Sequence, residues 1–184
     1  MGILLTILFV MSLVWLPVEK AAPGPSTLVS LGEVSSTPRS EVMVPFFLTL
    51  SSPELQVCSV SATIRFDAKT LQFRRAEKGF FLDGVNAGFE VHLQEDPKDP
   101  NKGVLQLEVT TKGEPRKALK EGSLVTLVFE IADGAPAKTK TSITLEKVSA
   151  MDLSTPPKAI APLTTKNGTA EVISTDAAGP AEAI

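Results

Sequence analysis

The chain has 184 residues, 43% of them hydrophobic and 21% charged, with a formal net charge of −3. That mix is globular, and it holds no cationic surplus to neutralise phosphates, which argues against a nucleic-acid partner. One Cys, one His, one Trp and no Tyr exclude an intrachain disulfide and a zinc site gathered from several Cys and His, and leave His92 as the sole histidine for nucleophilic catalysis.

At the N-terminus, Ile3 to Val18 reads ILLTILFVMSLVWLPV, an apolar run of sixteen residues followed by small residues and prolines at Ala21, Ala22, Pro23 and Pro25. The run is shorter than the ~20 residues of a spanning helix. Residues 1–26 therefore read as a signal peptide, with cleavage after Ser26 the cleanest small-x-small option, or as an uncleaved membrane anchor through residues 3–18. Either way an exported chain is expected: extracellular, cell-surface or periplasmic. The segment also carries Trp15, the only tryptophan.

From residue 27 to residue 175 the hydrophobic period is two, the signature of half-buried strands. Val42, Val44, Phe46, Leu48 and Leu50 alternate with Met43, Pro45, Phe47 and Thr49. Cys58, Val60, Ala62, Ile64 and Phe66 alternate with Ser59, Ser61, Thr63 and Arg65. Phe89, Val91 and Leu93 alternate with Glu90, His92 and Gln94; Leu105, Leu107 and Val109 alternate with Gln106, Glu108 and Thr110. Val125, Leu127, Phe129 and Ile131 form a further apolar row. Shorter candidates at Leu28–Val34, Leu71–Ala76, Ser142–Val148 and Thr169–Ile173 bring the expected strands to nine. Turn chemistry separates them: Asp83-Gly84, Asp133-Gly134, Asn167-Gly168, and prolines at 38, 53, 97 and 100. Pro45 inside a strand pattern predicts an edge or a bulge. Lys112–Glu121 reads as a polar loop broken by Pro115, and residues 176–184 as a disordered tail. Many short strands and no convincing helix predict an all-β sandwich.

Four segments carry a resemblance. SATIRFDAKTLQF (Ser61–Phe73), GSLVTLVFEI (Gly122–Ile131), LEKVSAMD (Leu145–Asp152) and NGTAEV (Asn167–Val172) occur in the order and spacing of cohesin domains. Asp67 and Leu71 hold the strand–turn–strand spacing of that family. The resemblance implies a nine-stranded β-sandwich of jelly-roll topology over nearly all of residues 27–175. It also implies a non-catalytic docking role, with a calcium-loaded dockerin as the protein partner, linked to polysaccharide degradation or cell-surface assembly. In cohesins the sheet of strands eight, three, six and five carries the partner face. Mapped here, its outward residues are Ser59, Ser61, Thr63 and Arg65; Glu90, His92 and Gln94; Gln106, Glu108 and Thr110; and Ser142, Thr144 and Glu146. The family often places Asn and Asp on strand three, where this chain has Ser59 and Ser61. Arg65, with its planar fork, is the expected anchor on this face.

The remaining chemistry is sparse. Cys58 falls on an inward position and is expected to be a buried thiol. His92, alone on its strand face, reads as a surface histidine, with a partner contact as the alternative. Glu95, Asp96 and Asp99 lack the spacing of a calcium loop and read as solvated; no cofactor or metal is expected. No GxSxG elbow, HExxH pair or phosphate loop occurs, and no enzyme activity is expected. The alternatives are a carbohydrate-binding module and a structural domain of an envelope or secretion complex. Sugar platforms use Trp or Tyr, and beyond Trp15 the chain has neither. Phe46, Phe66, Phe73, Phe89 and Phe129 fit the core, and Phe80 and Phe81 are expected to plug one end of the sandwich.

Overall fold

The computed structural model describes residues 26–174. The export or anchor segment and the expected tail lie outside these residues. Two sheets face each other. One runs in the order β10 (Leu163–Lys166), β1 (Thr27–Leu31), β3 (Glu41–Leu50), β8 (Gly122–Ile131) and β5 (Leu71–Lys78). The other runs β2 (Glu33–Ser36), β11 (Gly168–Val172), β9 (Lys140–Asp152), β4 (Val57–Asp67), β7 (Lys102–Thr111) and β6 (Ala87–Glu95). This is the all-β sandwich that the alternation predicts.

The expected nine strands become eleven among the described residues, for two reasons. Leu28–Val34 is two strands. At Gly32 the chain leaves β3, where β1 pairs Leu31 with Phe46, and crosses to the other sheet, where β2 runs parallel to β11. A Cβ on Gly32 would sit 2.6 Å from the Cδ of Pro45, so the crossing needs glycine there. That departure also explains Pro45. Its strand is internal, but β1 has already left beside it and a register shift follows between Phe46 and Phe47, so the expected edge and bulge meet at one place. The second addition, Leu163–Lys166, has no alternation to announce it and pairs parallel to β1.

The core is the inward row of both sheets. Val44, Phe46, Leu48, Val60, Ile64, Leu105, Val109, Leu127, Phe129 and Ile131 are fully or almost fully buried. Three rings tie the sheets together: Phe129 of β8 meets Phe66 of β4 edge-on with centroids 5.0 Å apart, and Phe73 of β5 at 5.6 Å. Gly103 of β7 accepts the face of Phe66, a space that any Cβ would occupy. The polar loop 112–121 contributes one unexpected plug, Leu119, which is 2% exposed and donates its N–H to the Val57 carbonyl at 2.7 Å.

Two expectations are corrected here. A short 3-10 helix, Phe80–Val85, closes one end, but Leu82 and Val85 do the plugging, being buried, while Phe80 is 82% and Phe81 39% exposed. Leu93 belongs to the inward parity of β6 yet is 56% exposed. β6 is the edge strand of its sheet, and opposite it stands the other edge, β5, so the sandwich gapes there and Leu93 lines the opening with Phe73.

Candidate functional site

The sheet carrying the candidate residues has the neighbour order β9, β4, β7, β6, which corresponds to strands eight, three, six and five of the expected set. Its register brings the outward residues into cross-strand rows. Ser59 lies beside Thr110, which lies beside Gly88. Ser61 is flanked by Ser149 on one side and Glu108 on the other, with Glu90 beyond. Thr63 sits between Glu146 and Gln106, with His92 beyond. Arg65 sits between Thr144 and Val104, with Gln94 beyond. All ten candidates on β4, β6 and β7 therefore share one face. Ser142, Thr144 and Glu146 join it from β9.

The rows differ in what they offer. Thr63 is 5% exposed and donates its hydroxyl to Gln106 Oε1 at 2.9 Å, so it supports the face from beneath rather than forming its surface. Ser61 and Ser149 share a hydroxyl hydrogen bond of 2.9 Å. Ser149 and Met151 escape simple alternation. A register shift on β9, with Lys147 at a φ of +47°, turns the outward parity from 142, 144 and 146 to 149 and 151. Val104 is the other missed member. It is outward by register but only 6% exposed beside Arg65.

Arg65 is committed within the fold. Its Nε donates to Glu146 at 2.8 Å and its Nη1 to Asp96. Asp96, expected in a solvated loop, is buried because that loop folds back onto the sheet. Lys98 N–H donates to Asp96 Oδ1 at 2.9 Å. That backbone hydrogen bond, with the Arg65 guanidinium adding to it, holds the Asp96 carboxyl below the usual aspartate range. Its ionised form is thereby favoured in the folded state. The stability it contributes is complete above the unfolded aspartate pKa of ~3.9 and is lost as pH falls through the lower folded value. The Asp96→Asn variant is expected to lose stability at neutral pH and to show a shallower acid dependence, read by melting temperature against pH. A parallel, unshifted acid profile would contradict the clamp.

The open part of the face is acidic. Glu90 and Glu108 stand directly across from each other on β6 and β7, both exposed. Among the described residues Glu90 pairs with His92 Nε2 at 3.8 Å and Glu108 makes no ion pair, while Lys112 lines the same shallow hollow as the two carboxylates. The outer face of the opposite sheet is arranged in the other way. There Arg75 pairs with Glu41 and Glu77, and Arg74 with Glu130, so its charges are satisfied within the chain. Cys58 is buried and donates its thiol to the Asp152 carbonyl at 2.8 Å, consistent with an inward structural thiol. Among the described residues no group of three or more His, Cys, Asp or Glu is placed to hold a metal. Asn167 sits in the turn before β11, where its Oδ1 accepts the Leu145 N–H at 2.9 Å.

Comparison with known proteins identifies this arrangement. The cohesin domain family matches residues 27–172. Among curated proteins none matches the chain. The fold is shared with the third cohesin of ScaC from Acetivibrio cellulolyticus, solved with the ScaB dockerin: TM-score 0.64, 19% identity, covering 80% of this chain and 99% of that one. A non-cellulosomal cohesin from the archaeon Archaeoglobus fulgidus gives a TM-score of 0.62 at 16% identity, over 83% of this chain and 95% of the other. CaCohA2 from Clostridium acetobutylicum gives 0.61 at 21% identity, over 82% and 92%.

Proposed function

The chain belongs to the cohesin domain family, and from that premise we propose that it is a non-catalytic docking module whose β9-β4-β7-β6 face receives a dockerin. The observation that carries the choice of face is its unsatisfied polarity. Glu90, Glu108, Gln94 and Ser59 point outward with few or no internal partners, whereas the charges of the opposite face pair with one another. A stable docking interface buries ~1,200–2,000 Å² in total, about half of it from each partner, and four adjacent strands offer a flat surface of that half's order. Ser59 and Ser61 supply short hydroxyls that allow close backbone approach. Glu90 and Glu108 supply the charge, so the complementary dockerin surface carries Lys or Arg. Arg65 acts through Asp96 and Glu146, fixing the loop at one end of the face rather than reaching into the partner.

Neutralising the two carboxylates tests the charge assignment. The Glu90→Gln, Glu108→Gln double variant is expected to bind about 5-fold more weakly, since exposed charge pairs across an interface contribute on the order of 1 kcal/mol together. Its affinity should also depend less on salt in a calorimetric titration. Equal affinity and an equal salt slope would remove these carboxylates from the interface.

The apolar run Ile3–Val18 supports export, either as a signal peptide or as an anchor that keeps the module at a membrane. Mass analysis of the native N-terminus separates the two: an intact Met1 supports the anchor, and a start near residue 27 supports cleavage.

A further inference from the structure

At the end of the sandwich where the chain enters β1, the surface is apolar in a way that the docking face is not. Phe80 is 82% exposed and Phe81 39%, and the two rings meet edge-on with centroids 5.7 Å apart. Both belong to the 3-10 helix whose other apolar members, Leu82 and Val85, are buried. The pair is therefore surplus to the core. Phe81 leans on Gly122, where φ is +128° and a Cβ would sit 2.5 Å from the ring. Beside it Leu50, Ser51, Pro53, Lys120 and Glu121 line a shallow hollow.

The position of this tip relative to the rest of the chain is the second observation. Ser26 is bonded to Ser51 in both directions: its N–H donates to Ser51 Oγ, and its carbonyl accepts the Ser51 N–H at 3.0 Å. The polypeptide leading from Ile3–Val18 thus reaches the domain at the rim of the same hollow. Only residues 19–25, seven in all, lie between the apolar run and Ser26, and fully extended they span at most ~25 Å. A third observation is charge. Of loop 112–121, Lys120 lines this hollow beside Glu121, and Asp83 of the 3-10 helix is paired with Lys78, so a lysine stands next to the two rings with the nearest helix carboxylate neutralised.

We propose that the Phe80–Phe81 tip is a membrane-contact site that inserts into the interface of an anionic bilayer beside the N-terminal apolar run. Exposed aromatic side chains beside a lysine are the chemistry of an interfacial contact. This inference rests on the reading of Ile3–Val18 as an anchor. With the N-terminal segment and the tip as two points of attachment, the strands stand away from the bilayer and the β9-β4-β7-β6 face stays open along its side. Residue 172, at the end of β11, lies at the opposite end, since Glu171 pairs with Lys140 at the start of β9.

The chain's own composition supplies the probe. In the full chain, Trp15→Phe combined with Phe80→Trp leaves one tryptophan, at the tip. A matched chain carrying Trp15→Phe and Leu93→Trp places it on an exposed site toward the other end. Both are mixed with vesicles of phosphatidylcholine and phosphatidylglycerol, with and without acyl-chain bromination. The expected result is a blue shift and a several-fold loss of emission at position 80 with the brominated lipid, strongest for bromines ~5–10 Å below the headgroup boundary, and no change at position 93. A chain that floats with the vesicles while position 80 remains unquenched overturns the tip contact and leaves the anchor standing. A chain that does not float with the vesicles overturns both. A blue shift that grows with protein concentration in the absence of lipid assigns the tip to a second copy of the chain and overturns the lipid contact.

Discussion

A Ser61→Arg variant is expected to bind a dockerin on the order of 10²-fold more weakly than the natural chain and to keep its fold. Ser61 is the central residue of the open face. Its hydroxyl bonds to Ser149 on β9, and its neighbour on β7 is Glu108, with Glu90 one strand further. An arginine there raises a long side chain from the flattest part of the surface and places a cation between the partner and both carboxylates. Like-charge juxtaposition across an interface costs several kcal/mol, and ~2.8 kcal/mol is a 100-fold change in affinity. The stability cost is small, below about 1 kcal/mol, because the lost hydroxyl bond is only half-buried and the new side chain extends into solvent. Calorimetric titration against a dockerin and a melting curve read the two halves of the claim. Undiminished affinity would move the interface elsewhere.

The second large effect is on the fold. Phe129→Ala is expected to destabilise the domain by about 3–5 kcal/mol, the range for deleting a fully buried ring. Phe129 has no exposure and contacts Phe66 from the facing sheet and Phe73 from the neighbouring strand. Its removal leaves two rings without their edge-to-face partner and opens a cavity between the sheets, near the end where β4 and β8 finish and β5 begins. Small domains hold ~5–15 kcal/mol in total, so the variant is at or near the limit of folding. Chemical denaturation gives the number. A loss below about 1 kcal/mol would mean that the two sheets are not joined at this cluster. Phe129→Leu, which keeps most of the volume, should recover a good part of the loss and separates packing from misfolding.

The strands and their inward rows were legible in the amino-acid sequence because alternation and burial are the same physical fact. A residue such as Ile64 or Leu105 faces the core if its neighbours in the strand face away. The same parity placed Ser59, Ser61, Glu90, His92, Glu108 and Thr110 on a common surface, as the register shows. Parity fails where the backbone breaks period two. The irregularity at Lys147 moved Ser149 onto the candidate face, and the crossover at Gly32 divided one expected strand into two. It also says nothing of contacts made across loops. Arg65 and Asp96 are thirty-one positions apart, and only the folded loop brings the carboxylate under the guanidinium of the expected anchor. Leu119 was hidden in a polar loop for a similar reason: one apolar residue has no period.

The division of labour follows from these particulars. Charges on the β5 and β8 side are paired with one another, Arg65 and Asp96 fix a loop, and the acidic strip across β6 and β7 is the surface proposed for a partner. Phe80 and Phe81 at the end of the molecule are separate from that strip, so the proposed membrane contact leaves the proposed docking face free.

The most direct test is an amide and side-chain chemical-shift map of the chain titrated with a calcium-loaded dockerin from the same organism. Shifts are expected to concentrate at Ser59, Ser61, Glu90, His92, Glu108 and Thr110, with β1, β3 and β8 unaffected. Shifts confined to the β10-β1-β3-β8-β5 sheet, or none at saturating dockerin, would contradict the proposed docking face.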